Sequence, residues 1–523
     1  MPNSSYLSNM KKLPIGLQDF RGLREGDNLY IDKTPYIHKL IESGKYYFLS
    51  RPRRFGKSLT LSTIKELFQG SQELFEDLWI AEHWDWTERH PVVHISFSSI
   101  GYQHHGLEKA IDIMLEQLAE TFRIKFEREG IGLRFRELLE KLSQGDNKVV
   151  LLIDEYDKPL IDYLHDMDKA LENQKILKSF YSIIKDSDPY LRFLLVTGVS
   201  KFSKVSIFSD LNNLQDITVH PAYNELCGYT QPELEHSFDG RIQQICQQQG
   251  IAKGQLLAQI KEWYNGYSWS GDSFLYNPFS ILSYFSATRF QNFWFATGTP
   301  TFLIELLKKR RFYKIEKIKV SPIIFESYTL DNLESHSLLF QTGYLTVKDT
   351  DEFGLITLDY PNKEVRDAMY SYLIAAFRQE EPSLSTPLVV QLRHAFLSND
   401  LEQVISIIKT LFKNIPSQIF IAQAEAYYHS LIYLTFRYLG VYIESEVNES
   451  DARLDAVVQT DTHIYIFEFK LDRSAAEAMQ QIREKGYADK YRHEGKAVVG
   501  VGVNFSSEQK TVEEWRAEEV RRV

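Results

Sequence analysis

The stretch that most limits what this chain can become is residues 50–58, Ser-Arg-Pro-Arg-Arg-Phe-Gly-Lys-Ser. Before it, Tyr46, Tyr47, Phe48 and Leu49 make a short apolar run suited to a buried strand. After it, Leu59, Ile64, Leu67 and Phe68 recur at helical spacing, so the Gly56-Lys57-Ser58 triplet stands where a strand hands over to a helix. Amides at a helix start lack intrahelical acceptors and the helix dipole favours an anion there, which suits a phosphate group. In such a loop Gly56 lets the backbone approach, Lys57 reaches the β and γ oxygens, and Ser58 ligates Mg²⁺. The general pattern opens with glycine where this chain has Arg51, followed by Pro52 with its fixed φ. A basic loop capping a surface helix is the competing reading of the triplet alone.

A second stretch supports the phosphate reading. Val149-Val150-Leu151-Leu152-Ile153 is five consecutive apolar residues followed by Asp154 and Glu155, the pattern of a buried parallel strand. Acids at its carboxyl end emerge in the crevice where open α/β sheets bind ligands. Asp154 can then hold the Mg²⁺ water shell and Glu155 can polarise the attacking water, unless the strand simply ends in solvated acids. A third strand, residues 193–198, ends near Thr197, which reads equally as a γ-phosphate sensor or a plain strand-end threonine. Lys201 and Lys204 follow, as nucleotide contacts or solvated loop lysines.

Around these, Thr34-Pro35 predicts a capped helix ending at Gly44. Residues 91–97 read as a strand, and the spacing predicts helices over 107–128 and 132–143. The alternation gives an α/β core, a parallel sheet with crossover helices, over residues 13–225. Thr230-Gln231-Pro232-Glu233 is a capping box before a helix reaching about Gln247, Asn265-Gly266 is a turn, and Asn277-Pro278 starts another helix. A short helix near Ser335 and Leu339, then a ribbon through Gly343–Val347 and Gly354–Leu358, gives a winged-helix-like piece in a helical middle region, 226–375. Its acidic tip favours a connector or lid over DNA reading. Helical periodicity fills 363–438.

The last 148 residues, 376–523, hold a second constellation. Arg453–Val458 and His463–Lys470 are β-rich runs joined by residues 459–462, a hairpin. Strand alternation puts Glu468 and Lys470 on one face and Phe467 and Phe469 on the other, with Asp455 in reach from the neighbouring strand. Carboxylates meeting there make a hard-oxygen site for Mg²⁺ or Mn²⁺, and Lys470 would orient water or stabilise the transition state. A plain cross-face ion pair is the alternative.

Composition bounds the rest. At 523 residues, 43% hydrophobic and 25% charged, the chain has ample core for several domains. A net charge of −11 argues against indiscriminate adhesion to nucleic acid, so any such site is local. Only Cys227 and Cys246 are present, so neither a disulfide framework nor a Cys-based zinc site is indicated, which suits a reducing cytoplasm. No apolar run is long enough to cross a bilayer and no signal-peptide order opens the chain.

The runs Ile31-Asp32-Lys33-Thr34, residues 49–58 and Ile153-Asp154-Glu155-Tyr156-Asp157 together resemble the AAA-ATPase-like family of predicted prokaryotic P-loop ATPases. There the Arg-Pro-Arg-Arg-Phe-Gly-Lys loop is itself the signature. The resemblance implies ATP and Mg²⁺ as cofactors, with Arg53, Arg54, Phe55, Gly56, Lys57, Ser58, Asp154 and Thr197 around the nucleotide and Glu155 catalytic. It also implies a C-terminal PD-(D/E)XK nuclease superfamily domain of restriction-endonuclease-like α/β fold. Glu425 would match the helical first acid, Asp455 and Glu468 the metal positions, Lys470 the catalytic lysine, and Gln481 the helix glutamine, with Tyr487 fitting the same pattern. The expected partners are nucleotide and nucleic acid, DNA before RNA, with no membrane and room for a homo-oligomer. The expected function is an ATPase coupled to a metal-dependent nuclease; the alternative is an ATP-gated switch whose nuclease-like fold is inactive.

Overall fold

The computed structural model describes residues 10–144, 147–201, 207–208, 213–295, 303–304, 307, 315–325, 335–412, 430–439, 446–447, 454–491 and 495–521. Two compact units divide the chain, residues 1–299 with 315–365, and 300–314 with 366–523.

The first unit is built on a parallel sheet of β1 (Tyr46–Ser50), β2 (Val92–Ser96), β3 (Val149–Asp154), β4 (Leu191–Gly198) and β5 (Gln215–Asp216), in spatial order β2-β3-β4-β1-β5. Every residue of β1 and β3 is buried, as expected of strands covered on both faces by crossover helices. The Lys57–Gln69 helix packs on β3 and β2, and the Leu107–Phe122, Ile131–Leu142 and Met167–Asp186 helices pack on one another. The Leu107–Phe122 helix ends earlier than its apolar spacing suggests, at Arg123 in the left-handed region, whereas the Ile131–Leu142 helix stops where expected, at Ser143.

The Thr34–Ser43 helix forms, but the cap is not Thr34. Asp32 Oδ1 accepts both the Thr34 amide, at 2.8 Å, and its hydroxyl, at 2.6 Å, so the carboxylate two residues earlier supplies the acceptor. The capping box is present at Thr230 and Glu233, yet its helix stops at Ser237 and a new one, Asp239–Gln249, follows Phe238. Asn277 caps the Pro278–Ala287 helix by accepting the Phe279 and Ser280 amides. The winged-helix-like piece pairs the Ser335–Gln341 helix with an antiparallel sheet of β6 (Ile318–Val320), β7 (Thr346–Thr350) and β8 (Ile356–Asp359), in order β6-β8-β7.

The second unit carries the Lys363–Arg378 helix from Arg366 onward, then the Pro382–Leu397 and Leu401–Phe412 helices. Its mixed sheet runs β13-β12-β11-β10-β9, with β9 (Glu446–Val447), β10 (Leu454–Gln459), β11 (His463–Leu471), β12 (Ala497–Ser506) and β13 (Thr511–Arg521). Only β11 and β12 pair in parallel, and the Ala475–Glu484 helix lies between them in sequence, as a parallel connection requires. That helix packs close because Gly500 and Gly502 have no side chains: a Cβ on Gly502 would stand 2.7 Å from the Ala475 carbonyl. At one edge β13 presents Glu513, Glu514, Arg516, Glu518 and Glu519. No described helix is long and apolar enough to cross a membrane, and Cys227 and Cys246 are both free thiols.

Candidate functional site

The Lys57–Gln69 helix starts directly after Gly56, which sits at φ 97° in the left-handed region that glycine tolerates. The Thr60 amide is the first to find a helical acceptor, the Gly56 carbonyl at 2.9 Å. The amides of Lys57, Ser58 and Leu59 thus have none within the helix. Lys57 is 6% exposed, and its Nζ donates to the carbonyls of Arg51 and Pro52 at 2.9 and 3.0 Å. Burial lowers its pKa, against which Asp154 and Glu155 act.

The residues before Gly56 form a braced turn. Arg51 is wholly buried; its Nη1 donates to the Ser50 and Thr218 carbonyls at 3.0 and 2.5 Å and its Nη2 to the Tyr223 carbonyl at 3.3 Å. The guanidinium also lies 4.0 Å over the Trp269 ring, and burial pulls its pKa down to about 10. Arg51 is therefore the floor of the loop, holding with a side chain what the general pattern leaves to glycine. Phe55 is buried edge-on against Tyr267 and Trp269, with centroids 4.8 and 5.3 Å away. Arg53 and Arg54 are exposed; Arg54 has a φ of 67° and its guanidinium lies 4.8 Å over the Phe279 ring.

The acids meet the loop at the end of β3. Asp154 Oδ2 accepts the Ser58 hydroxyl at 2.5 Å, and Oδ1 accepts the Thr197 hydroxyl at 2.6 Å and the Glu155 amide at 3.0 Å. Thr197 is 0% exposed, so its hydroxyl meets Asp154 rather than the open crevice. Glu155 holds a φ of 52°, a cost of about 1 kcal/mol or more that a non-glycine residue bears only where its surroundings impose it. Burial first, then the Asp154 charge, push its carboxyl above the ordinary range. A pocket of about 490 Å³ opens here, lined by residues 53–59, Glu155, Asp157 and Lys158, with Leu17, Tyr229 and Phe279 among its other walls.

Sequence reasoning gave no role to three residues of this site. Asp157 is buried and gathers the Val199 and Ser200 amides at 3.1 and 2.7 Å, tying β3's exit to β4's. Leu17 and Phe279 come from segments with no motif of their own. Lys201 is neither a solvated lysine nor a wall of the pocket; it is buried and pairs with Asp216 at 3.0 Å. Lys204 lies outside the described residues.

In the second unit β10 and β11 are antiparallel with Asp455 directly opposite Glu468. Glu468 is 1% exposed, and its Oε1 accepts from Lys470 Nζ at 2.8 Å. Lys470 Nζ also bonds Gln481 Oε1 from the Ala475–Glu484 helix. Gln481 Nε2 is buried with no hydrogen-bond partner among the described residues. Phe467 and Phe469 turn to the other face, where they stack on each other and pack against Phe436. Asn504, opposite Lys470 on β12, is buried and accepts the Arg473 amide at 3.0 Å. Tyr487 packs beside the Met479 and Ile482 cluster, with Lys485 Nζ 5.2 Å over its ring. Glu425 lies outside the described residues. Among the described residues no group of three His, Cys, Asp or Glu side chains is close enough to hold a metal ion.

Comparison with known proteins follows the same division. Residues 14–208 match the model of a predicted AAA-ATPase family, and residues 423–515 match a model of the PD-(D/E)XK nuclease superfamily. An uncharacterized protein in the vnfD 5' region of Azotobacter chroococcum mcd 1 is 39% identical over 522 residues, 96% of this chain and 98% of that one. The Aeropyrum pernix ORC1 protein in complex with DNA aligns with 65% of this chain and 92% of its own, at 10% identity and a TM-score of 0.24, a likeness too slight to carry any argument. With 39% identity along nearly the whole of both chains, this chain belongs to the family of the Azotobacter protein, and within it a stretch matching the predicted AAA-ATPase model is joined to one matching the PD-(D/E)XK nuclease superfamily.

Proposed function

We propose that the protein binds and hydrolyses ATP in the first unit and cleaves nucleic acid, DNA before RNA, with the metal-dependent site of the second. The observation that carries the first half is that Lys57, Ser58 and Glu155 line one pocket at the carboxyl edge of a parallel sheet, with Asp154 behind them accepting the Ser58 hydroxyl. The Ser58 and Asp154 oxygens, already 2.5 Å apart, fit Mg²⁺, which takes oxygen ligands and keeps much of its water. When bound, Mg²⁺ would offset charge on the phosphate oxygens. Lys57 would trade its two carbonyl partners for phosphate oxygens, and the orphan amides of the helix start would donate alongside it. Glu155, its proton affinity raised by burial, is suited to take a proton from the attacking water.

At the second site Asp455 and Glu468, facing each other across the hairpin, would hold Mg²⁺ or Mn²⁺, with Glu425 as a third acid. Their all-oxygen character fits such an ion. The bound ion would lower the pKa of a water and neutralise the scissile phosphate. Lys470, oriented by Gln481, would add a fixed positive charge beside it. The protein given Mg²⁺, ATP and a panel of DNA and RNA should cut at least one nucleic acid, and Asp455→Ala or Lys470→Ala should abolish cleavage. Activity untouched in both variants would remove the nuclease assignment. Glu155→Gln should bind ATP without turning it over.

One observation favours a second reading. Lys470 is engaged by both Glu468 and Gln481 in a closed ion pair, which suits an ATP-gated switch whose nuclease-like fold only binds a partner. Such a protein would hydrolyse ATP slowly and leave every nucleic acid intact in Mg²⁺ and Mn²⁺ alike.

A further inference from the structure

The phosphate loop is gripped a second time, through its backbone. The Arg53 carbonyl accepts the Trp294 indole N–H at 3.0 Å and the Asn277 side-chain amide at 3.5 Å. Trp294 is in turn fixed by Glu364, whose Oε1 accepts the Phe293 and Trp294 backbone amides at 2.6 and 2.7 Å. The other oxygen accepts the Ser280 hydroxyl at 2.7 Å, three residues beyond Asn277. Glu364 is 0% exposed and no cation pairs with it among the described residues. The titratable groups facing it are the phenols of Tyr264 and Tyr267, both held neutral by burial. Leaving a carboxylate in such an interior is costly unless its hydrogen bonds are made, and here three donors converge on it.

The peptide plane supplies the link to the pocket. Because the Arg53 carbonyl and the Arg54 N–H share one rigid trans unit, holding the carbonyl on Trp294 aims the Arg54 amide the opposite way. That same peptide precedes Arg54's left-handed φ, and both arginines line the pocket. A free loop would spread over several such peptide orientations, and ordering it would cost affinity.

We infer that Glu364 is a positioning residue for the nucleotide: through the Phe293–Trp294 turn it fixes the Arg53 peptide and so sets the shape of the phosphate loop. This rests on the phosphate-cradle reading of residues 50–58. Calorimetric titration of the full chain with Mg·ATP separates the two. Trp294→Phe removes the indole N–H and keeps an aromatic ring beside Tyr267 and Tyr344; its Kd should rise about fivefold with stoichiometry unchanged, the worth of one neutral hydrogen bond. Glu364→Ala should weaken binding about tenfold or more. Glu364→Gln, whose amide can accept from the two backbone N–H groups and donate to Ser280, should restore most of the affinity. Loss of stoichiometry at unchanged Kd in Trp294→Phe and Glu364→Ala would mean a role in folding alone and would overturn the inference. If Lys57→Ala loses ATP while Trp294→Phe and Glu364→Ala bind like the parent, only the strut fails. If Lys57→Ala itself binds like the parent, the cradle reading falls and the strut with it.

Discussion

The two candidate sites are assembled in opposite ways. The first is mostly contiguous: residues 53–58 and the end of β3 bring lysine, serine and two acids together with little help from register. The second has no contiguous core. Glu468 and Lys470 share a face through strand alternation, Asp455 stands opposite Glu468 through hairpin pairing, and Gln481 arrives only because a helix can rest on Gly500 and Gly502. A loop-built site is broken by changing its own residues, whereas a register-built site can be broken by a methyl group elsewhere.

The largest expected effect tests the first half of that contrast. Lys57→Ala should weaken ATP binding by about 4 kcal/mol, roughly a thousandfold, because it removes a buried charge from its partners. Metal-dependent cleavage measured without ATP should be unaffected, and a parallel loss would mean that the two sites are not separate.

Next in size is an effect of pH on the first unit. Glu364 titrates near 4.5 when exposed and is raised to about 7 in the fold by burial. Its favourable neutral form is fully present below the unfolded value and is lost as pH rises through the folded one. Glu364→Gln cannot ionise, so its stability should gain on the parent by on the order of 3 kcal/mol between about pH 4.5 and 7. Melting of both proteins across that range reads the difference, and parallel pH curves would show that Glu364 is not buried as an acid.

Gly502→Ala sharpens the second half of the comparison. The added carbon would meet the Ala475 carbonyl and Ala478, so the helix must lift, at a cost of about 2 kcal/mol. Amide exchange over the Ala475–Glu484 helix should quicken about thirtyfold and cleavage should fall, with ATP binding intact. Unchanged exchange would show that the helix has slack. The smallest effect is at Thr230→Ala, which removes half of a capping box and should loosen the Gln231–Ser237 helix by about 1 kcal/mol in the same measurement.

Legibility in the sequence follows the same line. Residues 56–58, Asp154 and Glu155 could be read because strand, turn and helix signals lie next to one another in the chain. The Glu468 and Lys470 face could be read because alternation is local to a strand. Arg51 reads only as a departure from glycine, since its partners, the carbonyls of Thr218 and Tyr223, lie 167 and 172 residues away. The Asp32 cap was masked by a threonine-proline pair that looks like a better one. Gly500 and Gly502 did leave a signal, two glycines at period two in an apolar run, which marks a strand face closely approached. β13 left none: its Glu, Ala and Arg content has no apolar alternation, because as an edge strand it buries little on either side.

That edge has a consequence for the protein in concentrated solution. The side of these eleven residues turned away from β12 would be a template for a second copy's strand, and the way to aggregation or fibrils. Glu513, Glu514, Glu518 and Glu519 place like charge against like charge whenever two such edges approach. Although Glu514 pairs with Arg516 and Glu518 with Arg483, β13 carries more acids than bases, so the charge that hides the strand from sequence inspection would also oppose such pairing.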